Sequence, residues 1–168
     1  MAYRTIEVTP IGGTMGAEIA GIDLARPLGN EQLAEIHQAF LENQVLVFHG
    51  QDLTIEQNKD FARRFGPLVP YPFVKGLDDH PEVFEIRKEP DEEKNFGGAW
   101  HTDMSFEERP PVGTMLYARE TPSRGGDTLL ANLYRAYETL SDPMKRVVDG
   151  LTGVYSGDLK GRRGGRKA

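Results

Sequence analysis

The sequence contains no cysteine and no apolar run long enough to cross a membrane. The first absence excludes disulfides and thiolate metal ligands, and it leaves the redox compartment open. The second excludes a transmembrane helix, which needs about 18 or more consecutive apolar residues. The amino terminus also lacks the basic and then apolar pattern of a signal peptide. The sequence therefore predicts a cytoplasmic protein with no membrane partner.

Positive charge is concentrated at the carboxyl end, although the net charge of the chain is −6. Residues 159–168 contain no acid and five basic residues: Lys160, Arg162, Arg163, Arg166 and Lys167. A run of glycine, arginine and lysine cannot pack, so we predict a disordered basic tail after a single domain spanning residues 1–158. Nucleic-acid binding is not favoured, because no basic face or aromatic stacking platform accompanies the tail.

Apolar spacing predicts alternating strands and helices in the first part of the chain. The stretch "TIEVTPIGGTMGAEIAGIDL" alternates around a Gly-Gly turn and predicts a strand pair, and "QVLVFHG" predicts a buried strand. A helix is predicted after an N-cap at Asn30. A second helix is predicted in "TIEQNKDFARRFG", which opens with the capping box of Thr54 and Gln57.

Strands dominate the prediction for the rest of the chain. The segments "EVFEIRKE", "GTMLYARE" and "DTLLANL" are predicted strands, and "PLVPYPFVKG" is a proline-rich loop. The stretch "LYRAYETLSDPMKRVVDGL" has helical spacing that is interrupted near Pro143. This order predicts an α+β fold built around an antiparallel sheet or jelly roll.

A candidate metal site occurs in "AWHTDMSFEERPP", where His101 and Asp103 are two positions apart. On a strand, such residues project from the same side, so an imidazole nitrogen and a carboxylate oxygen can face one centre. This donor pair suits Fe(II), Mn(II) or Zn(II). A surface ion pair or a capped turn is the alternative interpretation of the tripeptide.

Longer motifs around this pair resemble the TauD/TfdA family of Fe(II)- and 2-oxoglutarate-dependent dioxygenases. The stretch "WHTDMSF" is similar to the iron motif of the family, and "GGDTLLA" followed by "AYETLS" is similar to its next landmark. Upstream, "VLVFHGQDLTIEQNKDFARRFGPL" has the family's pattern of strand, Gly-Gln turn and helix. The resemblance extends from about residue 5 to about residue 157.

The resemblance implies a double-stranded β-helix, or jelly roll, with flanking helices. It implies that His101 and Asp103 are iron ligands and that the Thr128 hydroxyl helps to hold 2-oxoglutarate. Tyr71 and Val74 correspond to positions near the substrate. The implied reaction is hydroxylation of a small organic substrate with release of succinate and CO2.

Further consequences concern the surroundings of the ligand pair. Trp100 and Phe106 are expected to pack beside the ligands and to fix their rotamers. Residues 96–99 are Phe-Gly-Gly-Ala, where taurine-specific members carry polar residues. This difference argues against taurine and favours a less polar substrate. A homo-oligomer is left open.

The resemblance also implies a second iron-binding histidine and a 2-oxoglutarate-binding arginine much later in the chain. The sequence has no histidine after His101, and His37, His49 and His80 do not occupy the expected position. We therefore predict an incomplete jelly roll that is truncated and weakly active or inactive. The alternatives are a non-catalytic remnant or interaction module with an open sheet edge and, less favoured, a cupin-like metal-binding domain.

Overall fold

A computed structural model describes residues 3–93 and 95–157. The chain divides into unit 1, containing Met1–Arg64 and Leu116–Thr152, and unit 2, containing Phe65–Met115 and Gly153–Ala168. In the described part of the chain, all strands of the sheet and all helices belong to unit 1. None of these helices is long and apolar enough to cross a membrane. The basic tail predicted at 159–168 lies outside the described residues.

Unit 1 contains a three-stranded sheet in the order β1 (Glu7–Pro10), β2 (Ala17–Ala20) and β3 (Leu46–Phe48). The first two strands pair antiparallel, which confirms the predicted strand pair. The third pairs parallel to β2, so the sheet is mixed and not purely antiparallel as predicted. The reason is the connection, because a helix between β2 and β3 carries the chain back to the same end of the sheet.

That connecting helix, α1, spans Asn30–Asn43, and α2 spans Ile55–Arg63. The N-cap of α1 is Gly29, so Asn30 is the first helical residue and not the cap. The capping box predicted for α2 is present, since the Thr54 hydroxyl accepts a hydrogen bond from the Gln57 N–H.

The buried core of unit 1 lies where both helices meet the sheet. Its apolar members, each less than 9% exposed, are Ile6, Ala17, Ile19, Leu24, Ile36, Ala39, Leu53 and Phe61. Ile36 of α1 is 0% exposed, and Phe61 of α2 makes an edge-to-face contact with Phe48 of β3 at 5.5 Å. Ile36 therefore lies in the core, as its helical spacing predicts, whereas Leu41, which has the same predicted spacing, is 74% exposed.

Two short helices, α3 (Leu133–Glu138) and α4 (Asp142–Val148), confirm the interrupted helical spacing. Pro143 lies in the first turn of α4, where its missing N–H leaves no helical hydrogen bond unmade. Asn132 caps α3 by accepting from the Arg135 N–H. Its amide also donates to the Thr14 carbonyl and to the Gln44 side chain, which fastens α3 to the amino-terminal part of unit 1.

The strands predicted in residues 82–89, 113–120 and 127–133 are wrong, because the structure contains no strand there. A strand is maintained by pairing with a neighbour, and none of the described residues provides one for these segments. The apolar side chains of the last two segments are largely open to solvent: Leu116 is 65% exposed and Leu129 is 71% exposed. Tyr117 is an exception, since its hydroxyl accepts from the Leu53 N–H and donates to the Gln51 carbonyl.

Glu35 of α1 holds the segment before β1, and this contact makes part of the stability dependent on pH. The Thr5 hydroxyl and the N–H groups of Thr5 and Arg4 donate to its carboxylate. These bonds, the Thr5 hydroxyl first, hold the pKa of Glu35 below its ordinary value. A carboxyl with a lowered folded pKa stabilises the fold above its unfolded pKa, and this contribution disappears as the pH falls through the folded pKa.

A Glu35→Gln variant is therefore expected to unfold more easily than the wild type at pH 7. The difference should begin to shrink as the pH falls through about 4.3, the ordinary pKa of a Glu carboxyl, and should disappear once the folded wild-type carboxyl is also protonated. Urea unfolding of both proteins across this range measures the difference. An unchanged difference at acid pH would contradict the assigned role of the Glu35 charge.

Candidate metal centre

His101 and Asp103 lie in unit 2, in a loop that enters a turn. Their side chains approach each other, with His101 Nε2 3.1 Å from Asp103 Oδ1. The predicted convergence is therefore present, but the predicted reason is wrong because no strand exists here. The turn is made by Met104, whose φ of 51° lies in the left-handed region and whose side chain is buried. The Met104 carbonyl accepts from the Glu107 N–H and closes the turn.

The orientation of the His101 ring is fixed by a backbone contact. Nδ1 lies 2.7 Å from the Ala99 carbonyl oxygen, which can only accept a hydrogen bond. Nδ1 must therefore carry a proton, and in the neutral ring Nε2 has a lone pair. That lone pair faces the Asp103 carboxylate oxygen, so two acceptors meet unless a positive species lies between them. Either a second ring proton or a metal cation satisfies this arrangement.

The separation of the two acceptors fits a metal ion. Imidazole nitrogen and carboxylate oxygen bind such ions at about 2.0–2.2 Å, so two adjacent octahedral ligands lie about 3 Å apart. The Nε2–Oδ1 distance of 3.1 Å agrees with this geometry. Both side chains are also accessible, at 55% and 48% exposure. The donor set and its spacing therefore suit a divalent ion such as Fe(II).

The other carboxylate oxygen of Asp103 has its own partner. Thr114 Oγ1 donates to Asp103 Oδ2 at 2.7 Å. Because Oδ2 is engaged by the hydroxyl, Oδ1 is the oxygen that faces His101. The hydrogen bond thus fixes which oxygen is presented to the candidate metal position.

Gly97 provides the space behind the imidazole. Its φ is 66°, and a Cβ placed on it would lie 3.3 Å from His101 Cε1. A larger residue here would meet both backbone strain and a close contact with the ring. Gly97 therefore contributes to the site as a position where only glycine fits easily.

A series of aromatic contacts adjoins this loop within unit 2. Tyr71 stacks on Phe84 at 5.3 Å and meets Phe73 edge-on at 5.6 Å. Phe73 in turn contacts Phe106 at 5.3 Å, and Phe84 contacts Phe96 at 5.8 Å. Phe106 therefore packs against another aromatic ring, and its predicted role in fixing the ligand rotamers stays a prediction.

The packing predicted for Trp100 is wrong, since its side chain is 71% exposed. The ligand rotamers are instead held by Ala99, Thr114 and Gly97, through a carbonyl, a hydroxyl and a close contact. Hydrogen bonds to the backbone and to a neighbouring segment therefore hold the ligand rotamers, a role that the sequence predicted for an aromatic ring.

The remaining predicted site residues lie in different places. Tyr71 and Val74 are half-buried in the loop of unit 2, as its proline-rich sequence predicted. Thr128 belongs to unit 1, is exposed, and lies outside any strand or helix. The structure thus brings His101 and Asp103 together, and the role of Thr128 stays a prediction.

Within residues 3–93 and 95–157, no cluster of three or more His, Cys, Asp or Glu side chains is arranged to hold a metal. Two open clefts in unit 1, of about 270 and 450 Å³, are lined by residues between 21 and 64. None of the predicted site residues lines either of these clefts. We base the site on donor geometry, because the clefts contain no comparable metal-binding pair.

The other histidines have different partners. The ring of His37 is half-buried, and its Nε2 bonds to the Arg64 carbonyl, as expected for a structural residue. His49 Nε2 lies 3.2 Å from Glu18 Oε1, with both side chains exposed. His80 forms an isolated bridge with Leu77. Among the described residues, none of the three belongs to a group of three or more potential metal ligands.

Comparison with known proteins identifies the family to which this chain belongs. The family model described as "Taurine catabolism dioxygenase TauD, TfdA family" matches residues 7–167. The alkylsulfatase of Acinetobacter baylyi is 34% identical over 92% of this chain and 48% of its own length. The alpha-ketoglutarate-dependent sulfate ester dioxygenase of Pseudomonas putida is 31% identical over 91% of this chain and 50% of its own.

A solved structure supports the same relationship. The crystal structure of a taurine dioxygenase from Burkholderia xenovorans aligns with a TM-score of 0.70 at 36% identity, covering 88% of this chain and 52% of that one. The chain belongs to the TauD/TfdA family of dioxygenases. It spans about half the length of the curated relatives it matches.

Two residues of the site were not found by sequence reasoning. Thr114 lies within a segment predicted as a strand, and Gly97 within a polar loop, so neither had a distinguishing signal. Gly97 stands in a Gly-Gly pair close to the motif, which is a weak indication of close approach. The pairing of Thr114 with Asp103 spans 11 positions and has no local sequence pattern.

Proposed function

We propose that this chain provides two ligands of an Fe(II) centre in a 2-oxoglutarate-dependent dioxygenase. The observation that carries the proposal is the approach of His101 Nε2 to Asp103 Oδ1 while Nδ1 donates to Ala99. When bound, Fe(II) with 2-oxoglutarate and O2 supplies the oxidant that hydroxylates a C–H bond of a small organic substrate, releasing succinate and CO2.

The chain's own residues have distinct roles in this proposal. The imidazole and carboxylate hold the ion, and the Thr128 hydroxyl donates to a carboxylate of 2-oxoglutarate. Tyr71 and Val74 contact the substrate. No histidine follows His101 in this sequence, so the proposal assigns only two of the iron ligands. In this proposal, residues 1–158 form the amino-terminal part of a jelly-roll domain, and the basic tail follows them.

The proposed substrate is less polar than taurine. Support comes from the aromatic contacts in unit 2, where Phe96, immediately before the glycine pair, contacts Phe84 and Phe84 stacks on Tyr71. Relatives named alkylsulfatase and sulfate ester dioxygenase also belong to the group that the chain matches. An organic ester or acid with an apolar body suits these surroundings.

A second candidate function is a non-catalytic interaction module. It is favoured by the exposed apolar side chains of unit 1, such as Leu129, Leu130 and Leu133, which are each more than half exposed. A partner with a complementary apolar surface or strand could cover them. This candidate requires no metal at His101.

Anaerobic addition of Fe(II) and then 2-oxoglutarate to the 168-residue chain tests the dioxygenase proposal. We expect a weak visible charge-transfer band, because the keto acid chelates an ion that the chain holds. Succinate, which lacks the keto group, serves as the control and should give no band. A folded chain without a band would contradict the proposal for this sequence and favour the interaction module.

A further inference from the structure

Two pairs of histidine and carboxylate among the described residues have nearly equal separations. His101 Nε2 is 3.1 Å from Asp103 Oδ1, and His49 Nε2 is 3.2 Å from Glu18 Oε1. Exposure does not separate the pairs clearly either, since both carboxylates are about half exposed, at 48% and 49%. Distance and accessibility alone therefore do not distinguish a metal site from a surface ion pair.

The two pairs differ in the additional hydrogen bonds that their side chains make. His101 donates through Nδ1 to Ala99, and Asp103 accepts at Oδ2 from Thr114. Within the described residues, the side chains of His49 and Glu18 bond only to each other. A neutral His49 is free to place its proton on Nε2 and donate to Glu18. A neutral His101 cannot do so, because its proton is committed to Ala99.

We infer that Thr114 is a positioning residue of the metal centre, an inference that rests on the proposed function. Its hydroxyl occupies Oδ2 of Asp103 and so directs Oδ1 and its charge toward the position that His101 Nε2 also faces. The β-branched threonine side chain has few χ1 rotamers, which makes it a stiff support. Partners of this kind orient metal ligands, and their loss typically lowers metal affinity by about 10–100-fold.

The size of the effect depends on solvent access. Asp103 is 48% exposed, so water can replace part of what the hydroxyl provides. We therefore expect the lower end of the range, about tenfold. If Thr114 only closes the 103–114 loop, its replacement would instead lower the stability of the chain, whether or not a metal is bound.

Mn(II) binding by the 168-residue chain separates these possibilities. The room-temperature EPR signal of free Mn(II) disappears on binding, and Mn(II) accepts the same nitrogen and oxygen ligands as Fe(II) without oxidising readily. Thr114→Val removes the hydroxyl at constant shape and is expected to raise the Kd about tenfold. Thr114→Ser retains the hydroxyl and should stay near the wild-type value. Thr102→Val makes the same change between the two ligands, at a threonine whose hydroxyl has no such bond to any described residue, and should have little effect.

Thermal melting of each metal-free variant completes the experiment. Weaker Mn(II) binding by Thr114→Val at an unchanged melting temperature, with recovery in Thr114→Ser, supports the positioning role. Wild-type affinity in Thr114→Val overturns it and leaves the metal centre intact. Loss of affinity together with a lower melting temperature overturns it in favour of a structural role. A folded wild-type chain that binds no Mn(II) contradicts the metal centre itself, and the role of Thr114 falls with it.

Discussion

In the His101→Ala variant, Mn(II) and Fe(II) affinity is expected to fall by more than the 10–100-fold that follows loss of a supporting partner. The reason is that the imidazole is one of the two ligands that this chain is proposed to provide. The carboxylate that remains is a single exposed ligand, and an exposed carboxylate binds divalent ions weakly. The charge-transfer band with Fe(II) and 2-oxoglutarate should disappear with it.

His49→Ala is the matched control for this prediction. It also removes an exposed imidazole 3.2 Å from a carboxylate, but one without a second bond that fixes its proton. Metal affinity should stay unchanged in this variant. If the two variants lose affinity equally, the metal binds non-specifically to surface histidines and the assignment to His101 is wrong.

Replacing Ile36 with alanine is expected to produce the largest loss of stability in the chain. Ile36 is fully buried, at 0% exposure, on the face of α1 that turns toward the core of unit 1. Removing three carbon atoms from such a position costs about 2–5 kcal/mol, through lost burial and the cavity left behind. Since a domain has a free energy of unfolding of about 5–15 kcal/mol, this change removes a large share of it.

Urea unfolding at neutral pH measures this effect, and Leu41→Ala provides the comparison. Leu41 lies on the same helix but is 74% exposed, so its truncation should change the free energy of unfolding by less than about 0.5 kcal/mol. Similar losses for both variants would show that α1 does not pack as described.

Local sequence patterns were sufficient for the elements whose stability is local. The capping box of Thr54 and Gln57 lies at the start of the helix that it defines. The break near Pro143 was also visible, because proline restricts the backbone at its own position. The predicted N-cap of α1 was wrong by one residue, since the cap is Gly29 and not Asn30.

The strands predicted in the second half of the chain were wrong because the stability of a strand is not local. The segments around Leu116 and Leu129 have the composition of strands, but a strand also needs a neighbour with free N–H and C=O groups. Composition reports the preference of a segment and not the presence of its partner. The described residues contain no partner for these segments, so they remain unpaired and their side chains exposed.

The sequence by itself determined the family and the two ligand candidates, because a short motif places His101 and Asp103 near each other in almost any extended backbone. The tertiary structure decided how that pair is held. The proton on Nδ1 of His101, the hydroxyl of Thr114 on Asp103 and the close approach of Gly97 all depend on backbone turns and on contacts between separate segments. Such contacts arise from the path of the chain in space, and residue order alone does not specify them.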